Sequence, residues 1–493
     1  MSSIRQLLKK ICPLFTYPYP PPWAVKEPQA EAILLRGPEQ THAHEVNLSD
    51  CAYQWLYHWL GEKDTIIVMS SGFRNIKEHN TCFRQAGFEV VWCTPRVKGL
   101  FWDRWAQCLL ADVPTILGFA QLRKRRDNLI WLCVHMAVSH TIPWKCKKFW
   151  PGSKVICYIY DDLDLFVPKA KHKAWDELPY SKGSSLAEYE ALEEIRRGDY
   201  IEGIIYKDWG PGWSRYMNAD CAVAWIPALM PRWTFLPPPS DDVPERIVYI
   251  GTVVPRETHD CPSQIFGDIM IEDVVEEVAA QGYEVHAYSL QPHPAAVKYW
   301  RERFAAPNPV KLFPGANLYS LLPRIRDRYK WGWMLYNFPT TLIKGLYSTS
   351  YPTKLWTYMA CGLPILCSPE LERAASFIED HKIGVIVTKK DRKNLPRFLA
   401  KVDWKKLRDN VISLRDGYAM EDTFDAWKTI LKDAKEAKSK PAPPNRPWEK
   451  LDRKFARLWA KAVVGDYKLE ARGRTCDPHA RKGSRNKPKS RVR

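Results

Sequence analysis

The residues best spaced for chemistry lie in Ser350-Tyr351-Pro352-Thr353-Lys354-Leu355-Trp356-Thr357-Tyr358-Met359-Ala360-Cys361-Gly362-Leu363-Pro364. Pro352 and Thr353 suit the first positions of a helix. Gly362 and Pro364 stop that helix after about two turns, and Ile365 to Cys367 reads as a buried strand. A helix start carries unpaired N–H groups and a partial positive charge, so it favours a phosphate. Lys354 in the first turn adds a full charge. This segment therefore predicts a diphosphate site, with Tyr351 before the helix and Thr357 one turn into it.

A second candidate is Tyr160-Asp161-Asp162-Leu163-Asp164, which follows the apolar run from Val155. Ligands of open α/β sheets sit outside the carboxyl ends of the strands. Asp161 and Asp162 are thus placed to orient or deprotonate an attacking hydroxyl. A helix cap or a structural salt bridge would use the same carboxylates, and that alternative stays open. His135 and the turn Ser70-Ser71-Gly72-Phe73-Arg74 are weaker candidates on other strand ends. The 13 cysteines form no Cys-x-x-Cys pair and no zinc-like spacing, so neither metal nor cofactor is expected.

Positioning these groups requires two sheets. From Asp64 the chain alternates short β-branched runs with helical segments: strands are predicted at Thr65–Met69, Phe88–Trp92, Val155–Tyr160, Ile201–Ile205 and Ala222–Ile226, and a helix over Ser185–Arg197. A proline-rich link, Phe235 to Asp242, interrupts the pattern, which restarts with a strand at Arg246–Ile250, a helix over Gln264–Ala280 and a strand at Tyr283–Tyr288. These units predict an α/β protein of two Rossmann-like domains facing a cleft, residues 61–236 and 244–437, after an N-terminal extension 1–60. A second proline-rich link, Pro441 to Pro447, opens the remaining segment 438–493. It predicts an amphipathic basic helix from Trp448 to about Val464 and a basic tail.

At this level the second half resembles the donor-binding domain of GT-B glycosyltransferases, the group-1 retaining superfamily in particular. A Pro and Lys lead into a helix ending in Met-Ala-Cys-Gly-Leu-Pro, and the likeness runs from about Arg246 to Leu431. It implies transfer of a sugar from a nucleotide-sugar donor to an acceptor hydroxyl, with no further cofactor. It also implies donor contacts from the turns at Gly251-Thr252 with Arg256, and at Gly315, beside Tyr351, Pro352, Thr353, Lys354 and Thr357. Two departures stand out. Thr349 and Thr357 occupy the places where many retaining members carry a Glu pair, and Thr252 stands where an Arg usually follows the glycine.

The charge is uneven. The formal net charge is +18, and residues 471–493 hold nine Lys or Arg against one acid, Asp477. Arg472, Arg474, Arg481, Lys482, Arg485, Lys487 and Lys489 could contact nucleic-acid phosphates or an anionic membrane surface, or serve only as a solvated tail. Nine cations in the tail favour a hydroxylated base in DNA as acceptor, as in phage-type DNA modification. Assembly of lipid-linked or cell-surface glycan, and a non-catalytic nucleotide- or nucleic-acid-binding protein, are the alternatives. No apolar stretch is long enough for a transmembrane segment, and reduced, scattered cysteines suit a cytoplasm, the host's if the protein is viral.

Overall fold

The structure is a computed structural model. It describes residues 45–46, 56, 59–69, 75–93, 100–103, 108–111, 116, 127–135, 140–160, 185–207, 216–251, 253, 271–289, 294–304, 309–314, 318–325, 327–336 and 348–446. Both sheets belong to one compact unit that ends at Asn445. The predicted helix 448–464 and the basic tail lie outside the described residues, as does the stretch 264–270 that was expected to open the helix before Gly282.

The first sheet contains β1 (Glu45–Val46), β2 (Thr65–Met69), β3 (Glu89–Cys93), β4 (Leu100–Asp103), β5 (Cys108–Ala111), β6 (Leu129–His135), β7 (Lys154–Ile159), β8 (Gly203–Tyr206) and β9 (Ala222–Trp225). Their spatial order is β1-β4-β5-β3-β2-β6-β7-β8-β9. All neighbours are parallel except β4 with β5 and β1 with β4, which form an antiparallel edge. Helices α1 (Ile76–Gln85), α2 (Ile142–Phe149) and α3 (Ser185–Arg197) accompany this sheet. The central strands are short apolar runs because helices cover both faces and leave no polar side; β7 is buried at every position.

The second sheet holds β10 (Arg246–Gly251), β11 (Glu284–Ser289), β12 (Val310–Pro314), β13 (Trp331–Met334), β14 (Ile365–Cys367) and β15 (Gly384–Ile386). The order is β12-β11-β10-β13-β14-β15, all parallel. Numbered within the domain this is 3-2-1-4-5-6, the Rossmann order, whose direction reverses between β10 and β13. Its helices are α4 (Glu272–Ala279), α5 (Pro294–Arg303), α6 (Leu318–Ile325), α7 (Thr353–Ala360), α8 (Glu372–His381), α9 (Lys389–Arg392), α10 (Leu395–Leu399) and α11 (Trp404–Arg415). The two-Rossmann arrangement implied by the GT-B resemblance is the one observed.

The last described helix, α12 (Phe424–Glu436), returns to the first sheet. Its Trp427 ring meets Phe83 at 5.2 Å, His79 at 5.3 Å and Tyr158 at 5.6 Å. Trp427, Ile430, Leu431 and Ala434 belong to the first core; removing one such aromatic from water stabilises by about 3 kcal/mol. The strap that follows is fastened to the same domain. Lys147 Nζ donates to Glu202 Oε1 at 2.6 Å, and the same carboxylate accepts from the backbone N–H groups of Val155 and Lys440. The Lys147 and Glu202 side chains are 1% and 0% exposed. Trp144 Nε1 also donates to Pro443 O. The first proline-rich link is pinned to the second domain, since Arg415 donates to Leu236 O and Arg408 to Pro239 O.

Candidate functional site at the strand switch of the second sheet

The ladder between β10 and β13 is short. It pairs Ile247 with Trp331 and Val248 with Gly332, and no later residues. Beyond it the strands are bridged by one side chain: Tyr358 Oη accepts from Ile250 N at 3.1 Å and donates to Trp333 O at 3.0 Å. Burial raises the Tyr358 phenol above its ordinary range, which keeps it a protonated donor. Tyr358 reaches this place only because residue 332 is glycine. A Cβ there would stand 2.5 Å from the Tyr358 ring.

Above the gap sits the start of α7. Pro352, at φ −59° and ψ 135°, turns the chain into the helix, and no side chain caps it. Lys354 leans across the ends of both strands. Its Nζ donates to Tyr336 Oη at 2.9 Å and lies 5.0 Å from the ring centres of Tyr249 and Tyr336. Gly251 makes room for it, because a Cβ at that position would come within 2.6 Å of Lys354 Cε. A half-buried ammonium, a helix start and a strand switch thus meet at one point. These are the elements that hold a phosphate-bearing ligand in open α/β folds. Two buried hydroxyls border this region, Ser289 Oγ at the end of β11 and Ser350 Oγ before α7. Neither has a hydrogen-bond partner among the described residues.

The structure therefore brings together Gly251, Pro352, Thr353 and Lys354 of the residues predicted from sequence. Two others it turns elsewhere. Thr357 is 2% exposed, and its hydroxyl donates back to Thr353 O at 3.2 Å, so it faces its own helix and the core. Tyr351 is buried on the α8 side, 5.5 Å from Trp356 and 5.6 Å from Phe377, with the Arg373 guanidinium over its ring. Thr252, Arg256 and Gly315 lie outside the described residues. Tyr249, Tyr336, Gly332 and Tyr358 were not singled out by sequence reading, although they shape the site.

No protein-family model matches the chain, and no curated protein sequence matches it. Among solved structures the chain is similar to the GtfA/B complex, at 12% identity and a TM-score of 0.41 over 69% of this chain. It spans about 64% of the length of that protein. It is similar to Anabaena HepE in complex with UDP-glucose, at 9% identity and a TM-score of 0.49 over 75% of this chain and 99% of that one. A third similar structure is described as a UDP-N-acetylglucosamine 2-epimerase from Listeria monocytogenes, at 11% identity and a TM-score of 0.42 over 77% of this chain and 99% of that one. The likeness is one of fold.

On the first sheet, β2, β6 and β7 are adjacent and parallel; His135 and Ile159 end side by side, and β2 ends at Met69, opposite Cys133. The order reverses between β2 and β6, which makes this the corresponding switch. Asp161, Asp162 and the turn 70–74 follow these ends but lie outside the described residues, and so do Arg472, Arg474, Arg481, Lys482, Arg485, Lys487 and Lys489. Among the described residues no group of side chains has the makings of a metal site, and no helix is long and apolar enough to cross a membrane.

Proposed function

We propose that this chain is a glycosyltransferase that uses a nucleotide-sugar donor. The observation carrying this reading is Lys354 at the start of α7, laid across the β10–β13 switch. A diphosphate bound there would meet the helix N–H groups and the ammonium together. Both stabilise the charge that grows on the leaving phosphate oxygen as its bond to the anomeric carbon breaks. An acceptor hydroxyl forms the new bond to that carbon and gives its proton to Asp161 or Asp162. The nucleotide sugar is a co-substrate, and no resident cofactor enters this scheme.

For the acceptor we infer a hydroxylated base in DNA. Nine cations against one acid in residues 471–493 suit a duplex backbone, and a base must leave the stack to reach a cleft. Duplex binding that weakens steeply with salt supports this acceptor. Flotation with anionic liposomes and no duplex binding would replace it with a lipid-linked glycan.

The donor reading is tested by thermal shift and hydrolysis against a panel of nucleotide sugars. At least one should raise the melting point, and Lys354→Ala should weaken that response about 10- to 100-fold, the worth of one charge-assisted contact. If no nucleotide sugar shifts or turns over, transfer is the wrong reaction, and a binding protein on this scaffold becomes the better reading.

A further inference from the structure

A cavity of about 510 Å³ lies on the flank of α7 away from Lys354. Lys354 and Trp356 are two residues apart, which puts them about 200° apart around a helix. The Trp356 side chain accordingly meets Tyr351, Phe377 and Tyr418, while Lys354 meets Tyr249 and Tyr336. The cavity is walled by these rings and closed from the first domain by Trp225, the last residue of β9. At 39% exposure Trp225 is one of three large apolar side chains left open among the described residues. Trp356 and Tyr418 are stacked, with centroids 5.8 Å apart and planes 16° apart, so the wall is rigid and flat.

Its polar groups narrow the ligand. Asp380 and Ser376 lie on the exposed side of α8, and Ser376 Oγ donates to Asp380 Oδ2 at 3.2 Å. Arg373, one turn before Ser376, brings a guanidinium that already covers Tyr351, and the His381 ring of the lining packs on Phe377 and Tyr418. The Asp380 carboxylate offsets the Arg373 guanidinium, so the lining holds little fixed charge to attract a polyanion. A lipid chain would strip water from both without replacing it. A carboxylate with several lone pairs, a guanidinium and flat apolar walls suit a ring with many hydroxyls and an apolar face. We propose that this cavity is a second ligand site, and that it binds a pyranose of a neutral glycan. The ring's C–H face packs on Trp225, and its hydroxyls donate to Asp380 and accept from Arg373. The volume holds one or two such rings rather than a folded partner.

The inference rests on this cavity and not on the transfer reaction, so the two can fail separately. The test is saturation-transfer NMR of the full chain with neutral trisaccharides of glucose, N-acetylglucosamine, galactose and mannose. At least one should receive magnetisation. Trp225→Ala and Asp380→Asn, both at exposed positions where folding is checked by an unchanged melting point, should each weaken that binding about tenfold or more. Lys354→Ala should leave it intact. The proposal is overturned if no trisaccharide responds, if both pocket variants bind as the parent does, or if nucleosides respond in this pocket and glycans do not. Glycan binding without any response to nucleotide sugars would sink the transfer reading and leave this site standing.

Discussion

Each domain contains a partly or wholly buried lysine near a helix, and the contrast between them separates architecture from chemistry. Lys147 of the first domain is sealed from solvent, with Glu202, the Ser153 carbonyl and the Ser439 hydroxyl as its acceptors. Burial lowers its affinity for a proton, and the Glu202 charge opposes that. Lys354 of the second domain donates to the Tyr336 hydroxyl and lies over the ring faces of Tyr249 and Tyr336. A buried lysine is therefore no signature of a site in itself. Its place on the sheet decides: Lys147 lies under a strap, whereas Lys354 lies over a strand switch.

The sharpest way to break this comparison is Glu202→Ala. It should strand a buried ammonium and cost about 3–5 kcal/mol, read by urea unfolding, while any nucleotide-sugar response of the folded fraction persists. If Glu202→Ala is mild and instead abolishes that response, the roles of the two lysines are reversed.

Tyr358→Phe should have a smaller, mixed effect. It leaves the Ile250 N–H and the Trp333 carbonyl buried without their shared partner, at about 1–3 kcal/mol. Because that hydroxyl ties the two strand ends beneath Lys354, donor response should weaken as well. A variant that loses stability but keeps full donor affinity would show that the switch tolerates a looser floor.

The last expected effect is on pH dependence, and it also distinguishes the domains. Burial pushes both His79 and His140 of the first domain down from 6.5 to about 3. The unfolded chain takes up those protons near pH 6.5 and the folded chain does not. Stability is thus full above about pH 6.5 and falls as the pH drops towards 3. In the second domain, burial would raise the Glu284 carboxyl, but bonds from Lys311, Arg246 and His286 outweigh it and hold the group at about 2. Its contribution survives to pH 4.5 and is lost between there and pH 2. Melting temperatures between pH 7.5 and 5 should fall, and less steeply in His79→Gln; a flat profile would remove the buried histidines from the account.

Much of the fold was legible because local pattern and final burial agree. Thr65–Met69 and Ser185–Arg197 are observed with the bounds expected, and the strands at Arg246 and Tyr283 differ by one residue. The start of α7 was legible for the same reason: Pro, Thr and Lys act locally on a helix end. What escaped is set at long range. β13, Trp-Gly-Trp-Met, lacks the β-branched run of a buried strand, and its glycine answers to a tyrosine 26 positions later. Tyr249 lies on β10 and Tyr336 two residues past the end of β13, and they meet only around Lys354. The antiparallel edge of β1, β4 and β5 was missed, and the pocket beside Trp356 draws on four separate segments.

The return of α12 to the first sheet has a consequence for biosynthesis. Trp427, Ile430 and Leu431 complete a core whose first strand begins at Thr65, so that core stays open on the ribosome until more than 360 residues later have emerged. The second domain, built wholly from residues between Arg246 and Arg415 in its sheet and helices, can close first. Synthesis therefore runs against the usual order, in which the N-terminal domain folds before the rest. The nascent first domain therefore holds Phe83 and Tyr158 uncovered until α12 arrives.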